Sequence, residues 1–99
     1  MFHCEKKTEG KTVTLVLSGR LDTSTAPTLE EAVKTGLEGT ENLIFDFSAL
    51  EYISSAGLRV LLSALKTMSK QGSMKIVNPN DSVREVFDIT GFSDILTIE

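Results

Sequence analysis

The residues of this chain that invite chemistry are the two adjacent serines in Tyr52-Ile53-Ser54-Ser55-Ala56-Gly57-Leu58. They fall where an apolar strand pattern gives way to an apolar helical one. A hydroxyl there can accept from an unpaired amide of the first helical turn, worth roughly 1 kcal/mol. Anion binding is a second chemistry. Ser55 to Arg59 include no Asp or Glu, so the positive end of this helix lacks an acidic side chain, whereas Glu30 and Glu31 fall early in the preceding helix. A phosphate on one of the serines would bring about -1.5 to -2 charges and three acceptor oxygens onto amides already oriented for them. Gly57 leaves the backbone open to close approach there. Nucleophilic catalysis is the third chemistry. The hydrolase elbow sets a glycine two residues to either side of its serine, but Ile53 takes the first of those places for Ser55. It also needs a base, and the one histidine, His3, has no acid in an obvious orienting position. Ser63-Ala64-Leu65-Lys66 fits S-x-x-K but falls mid-helix without a companion motif, and no Walker-type or dinucleotide-binding glycine pattern occurs. The expectation is a protein that is not an enzyme and takes no cofactor.

Composition narrows the rest. The chain has 99 residues, 40% of them hydrophobic, which suits one core and one domain. The formal net charge of -4, without a long run of either sign, argues against nucleic acid as a partner. No apolar run approaches the roughly 20 residues that span a bilayer. Met1-Phe2-His3-Cys4-Glu5 lacks the basic-then-apolar layout of a signal peptide, so a soluble, cytoplasmic protein with no direct membrane insertion is expected. Cys4 has no second cysteine to pair with, and His3 and Cys4 do not make a zinc site by themselves. Both read as ordinary strand residues.

The elements that position the serines follow from periodicity. Residues 2–7 and 12–18 read as a hairpin around Glu9-Gly10. Ser24-Thr25-Ala26-Pro27 opens a first helix with a hydroxyl cap and an early proline, Leu29, Val33 and Leu37 mark its face, and Gly39 closes it. Leu43-Ile44-Phe45-Asp46-Phe47 is apolar enough to suggest a central strand covered on both sides, or nearly so. A further strand is allowed before the serines. Leu58, Leu61, Leu62, Leu65 and Met68 form a helical stripe that stops before Gln71-Gly72. Met74-Lys75-Ile76-Val77 is a short strand, and a third helix opens at Pro79-Asn80-Asp81-Ser82 with a Ser82/Glu85 capping box and ends at Gly91. Ile95 to Ile98 is a last strand. The order β-β-α-β-(β)-α-β-α-β predicts an α/β fold: a mixed, mostly parallel sheet with an N-terminal hairpin and three packed helices.

Four segments in register carry a resemblance. Gly19-Arg20-Leu21-Asp22 with Thr25-Ala26, Phe45-Asp46-Phe47-Ser48, Tyr52 to Leu58, and Val86-Phe87-Asp88-Ile89-Thr90-Gly91-Phe92 are similar, in order and spacing, to the STAS domain of bacterial anti-sigma factor antagonists. The likeness covers nearly the whole chain, so one STAS domain over 1–99 is expected. It implies a partner switch. In that family the unmodified antagonist binds an anti-sigma factor that is also a serine kinase, and the sigma factor is released. The kinase can phosphorylate the antagonist at the serine that begins the helix, and a metal-dependent PP2C-type phosphatase resets it. By position the acceptor is Ser55, with Ser54 standing where relatives often carry an aspartate. The resemblance makes Asp22, Ser54, Ser55, Gly57 and Arg59 partner-binding residues, and Asp46, as the acid at the end of the central strand, a support for the phosphosite. The residues by themselves leave Asp22 equally a turn acid serving Ser24 or Thr25 amides, Asp46 a partner for loop amides, and Arg59 a phosphate or partner contact or neither. A different role on the same fold is that of a subunit of a membrane lipid-transport ATPase complex, which some stand-alone STAS domains serve.

Overall fold

The computed structural model describes residues 2–99. Strands β1 (His3–Glu9) and β2 (Thr12–Leu21) form the hairpin, paired antiparallel from His3↔Ser18 to Glu9↔Thr12. Gly10 supplies the positive φ of 61° that so tight a reversal needs. There follow α1 (Ala26–Gly36), β3 (Asn42–Ile53), α2 (Ser55–Met68), β4 (Ser73–Val77), α3 (Asp81–Thr90), a 3-10 turn at Phe92–Asp94 and β5 (Thr97–Ile98). The strands lie in chain order, β1-β2-β3-β4-β5, and every pair after the hairpin is parallel. The α/β class, the mixed sheet, the opening hairpin and the three helices are as the sequence predicts.

Two expectations about β3 are corrected. The separate strand allowed before the serines is the far half of β3, which runs unbroken to Ile53 because β2 also extends, to Leu21. Two irregularities, between Val16 and Ser18 and between Gly19 and Arg20, let β3 fit two more residues than β2 and still pair Leu21 with Ile53. Nor is β3 covered on both sides. Right-handed crossovers that each step one strand in the same direction place all their helices on one face. On that face Val13, Leu15, Leu17, Leu43, Phe45, Phe47, Met74 and Ile76 are buried, while Thr14, Val16, Ile44, Asp46, Lys75 and Val77 on the other are half-buried. Phe47 meets Phe45 edge to face at 6.1 Å and stacks on Phe87 of α3 at 6.2 Å, which ties the third helix to the central strand.

Two helix starts also differ from expectation. Thr25 occupies the cap position of α1 without a side-chain cap, and the first turn holds no acid, since Glu30 and Glu31 come later. The acid-free start of α2 is therefore shared by α1. At α3 the cap is Asn80 rather than Ser82: Asn80 Oδ1 accepts from Val83 N at 2.8 Å, and Asn80 Nδ2 donates to Leu50 O at 3.0 Å. That second bond, to a distant strand, selects between two plausible caps.

Candidate functional site

The two serines have separate fates. Ser54 adopts extended φ/ψ as the cap of α2, its side chain accepts from Gly57 N at a long 3.5 Å, and its own amide donates to Leu21 O at 2.9 Å. It is pinned between helix and sheet. Ser55 is the first residue of α2 and is exposed. Among the described residues nothing hydrogen-bonds its hydroxyl, and the Ser55 and Ala56 amides have no protein acceptor. An oxygen added at Ser55 therefore meets solvent and free amides, and no existing bond has to break.

The same Ser54–Leu21 bond sets the β2–α1 turn beside the helix start. Asp22 Oδ1 organises that turn, accepting from Ser24 Oγ at 2.8 Å, Ser24 N at 3.0 Å, and Thr25 N and Oγ1 at 3.2 Å. The Ser24 hydroxyl, with the Thr25 and Ser24 amides, holds its carboxyl below the usual aspartate value against an upward push from desolvation. Thr25 Oγ1 also accepts from Asp22 N at 2.8 Å and donates to Arg20 O at 2.8 Å. The turn-acid reading of Asp22 is thus met in full, and it fixes the chain leading into α1.

Gly57 is buried, contrary to the expectation of an open backbone. A Cβ there would lie 2.8 Å from Leu21 Cγ and 2.9 Å from Ile53 Cγ1, so the glycine serves close packing of α2 on the sheet. Arg59 is exposed one turn further on. It lines a groove of about 170 Å³ between α1 and α2, with Thr23, Ala26, Pro27, Glu30 and Ala56 among the other walls. Asp22, Ser54, Ser55, Gly57 and Arg59 therefore share one end of the molecule.

Asp46 does not join them. It lies in the middle of β3, level with Val16 and Val77, and not at the strand's end. Six residues of strand separate it from Ile53, roughly 20 Å at an ordinary rise. Its Oδ1 accepts from Ser48 N at 2.9 Å, beside the first irregularity in the ladder. The loop-amide reading is the one realised, within a strand. A feature that sequence reasoning missed is Arg20 stacked 4.4 Å over the Tyr52 ring. The two are cross-strand partners, a pairing concealed by the two register shifts. Period-two alternation places each on a strand face but does not bring them opposite one another.

Among the described residues no three His, Cys, Asp or Glu side chains are grouped to hold a metal, and no helix is long and apolar enough to cross a membrane. The STAS domain family model matches residues 3–99. The anti-sigma-B factor antagonist of Bacillus subtilis is 34% identical over 83 residues, covering 83% of this chain and 76% of its own. Among solved structures, an anti-sigma factor antagonist from Mycobacterium paratuberculosis superposes with a TM-score of 0.90 at 23% identity, covering 99% of this chain and 85% of its own. The Bacillus cell fate determinant SpoIIAA in its phosphorylated form superposes with a TM-score of 0.75 at 22% identity, covering 100% and 91%.

Proposed function

This chain belongs to the STAS domain family, among its anti-sigma factor antagonists, and on that premise we propose that it binds an anti-sigma factor serine kinase and is released from it by phosphorylation of Ser55. It is a regulatory binding protein and not an enzyme, as its relatives are. The observation that carries the site is the division of labour at α2: Ser54 is spent on capping, while Ser55 is exposed with a free hydroxyl. The unmodified end of the molecule offers a compact face of Ser55, Asp22 with its ordered turn, and the groove beside Arg59. Adding about -1.5 to -2 charges there, next to Asp22 on a chain of net charge -4, opposes an acidic or apolar partner face and is costly to desolvate in an interface. A PP2C-type phosphatase, reaching the exposed ester, would restore binding. The cycle belongs in the cytoplasm, where an anti-sigma factor meets its sigma factor.

The test is incubation with the cognate kinase and ATP, followed by mass spectrometry and a binding assay. One phosphate is expected, lost in Ser55→Ala and kept in Ser54→Ala, and Ser55→Asp should weaken the complex. Phosphate mapped to Ser54 alone would sink the site assignment. Recovery of a membrane ATPase and no such kinase in a pull-down would sink the partner.

A further inference from the structure

The outer edge of β1 carries no neighbouring strand among the described residues. His3 and every residue from Glu5 to Glu9 are exposed. The loop Gly10-Lys11 closes on Glu9 and Thr12, and in a two-residue hairpin the flanking pair exchanges backbone hydrogen bonds. Odd-numbered residues of β1 thus turn their amides and carbonyls toward β2, and Cys4, Lys6 and Thr8 turn theirs outward. The side chains divide the other way. His3, Glu5, Lys7 and Glu9 lie opposite Ser18, Val16, Thr14 and Thr12 and share the uncovered face of the sheet. Lys6 is on the helix side, where its Nζ donates to Gly36 O at the end of α1 at 3.2 Å.

We infer that β1 pairs antiparallel with β1 of a second copy of this chain, in the register centred on Lys6. A two-fold axis normal to the sheet keeps both helix layers on one side and permits only pairs whose side chains share a face, so the register is centred on a residue. Centring on Glu5 opposes Glu5 to Glu5. Centring on Lys7 opposes Lys7 to Lys7 and Glu5 to Glu9. Centring on Lys6 opposes Glu5 to Lys7 and His3 to Glu9, each twice, and it brings Cys4 opposite Thr8, whose outward backbone groups then complete the ladder. Opposite charges directly across a ladder stabilise it, and like charges do the reverse. One like pair remains, Lys6 with its symmetry mate, and each ammonium is drawn aside to a helix-end carbonyl. Lysines alone would guard an edge against any strand; alternating them with glutamates guards it against all but a matching one. The strand is complementary to itself, which makes the occupant a second copy. The two five-stranded sheets become continuous, and Ser55, beyond the ends of β2 and β3, stays free.

Sedimentation equilibrium over a concentration series tests this with Glu5→Lys, Lys7→Glu and the double swap, all on exposed side chains. The wild type should dimerise, and each single reversal should weaken the dimer by about tenfold or more. The double swap should restore it. An equimolar mixture of the two single variants should form a heterodimer of wild-type strength, because one presents lysines at positions 5 and 7 and the other glutamates. A wild type that stays monomeric at its highest soluble concentration overturns the inference. So does a dimer indifferent to the single reversals, or one that the mixture fails to restore.

Discussion

Ser54 and Ser55 differ by one position and by almost everything that matters to a hydroxyl. The first faces a helix amide and is bonded through its backbone to Leu21; the second faces water. Their identity as a pair was legible in the sequence. Their separation came only through the family resemblance, because the residues by themselves do not say which keeps extended φ/ψ before the helix begins, and both serines make good caps. Asp22 was legible as a turn acid because its side chain bonds locally, to Ser24 and Thr25. Asp46 was not placed correctly, since its position depends on how far β2 and β3 stay paired. Asp22 also gives a pH prediction. Its pKa is lower in the folded state than the ordinary value of about 3.9, so its stabilisation is fully present above that value. It is lost as pH falls through the lowered folded value. In acid titrations followed by circular dichroism, the stability gap between wild type and Asp22→Asn should be constant above that window and close within it. A gap that persists at the acid end would separate the Asp22 bonds from its charge.

At the level of elements, α2 is held where it is by an absent side chain. Leu21 and Ile53 are almost fully buried and cannot swing away, so the Cβ of Gly57→Ala would have to push the helix off the sheet. Overpacking of this kind costs about 1–3 kcal/mol, set against about 1 kcal/mol of helix propensity gained by alanine. The expected net loss of about 1 kcal/mol, read by urea denaturation, should come with weaker partner binding, because α2 carries Ser55 and Arg59 with it. A stabilised Gly57→Ala would show that the close approach is not what the glycine serves. The helices themselves were legible because their apolar stripes repeat at the right period. The α3 cap was not: Ser82 with Glu85 satisfies the local pattern as well as Asn80 does, and only the bond to Leu50 O distinguishes them.

For the molecule as a whole, the decisive property is that the helices share one side of the sheet. Sequence alone read Leu43 to Phe47 as covered on both sides, or nearly so, because four apolar residues and a stray acid do not reveal which face lacks helices. The asymmetry predicts a sharp contrast between neighbours. Phe45→Ala, fully buried beneath the helices, should cost about 3–5 kcal/mol in denaturant unfolding. Ile44→Thr, half-buried on the other face, should cost about 1 kcal/mol or less, because threonine keeps the β-branched shape. Equal losses would mean that the second face is covered after all. The strand order has a consequence in time as well as in space. Each strand after the first is laid beside the one made just before it, so a ribosome releasing this chain delivers every new strand to a finished neighbour. No early segment has to wait exposed for a distant partner, and the nascent protein can assemble at the pace of its own synthesis.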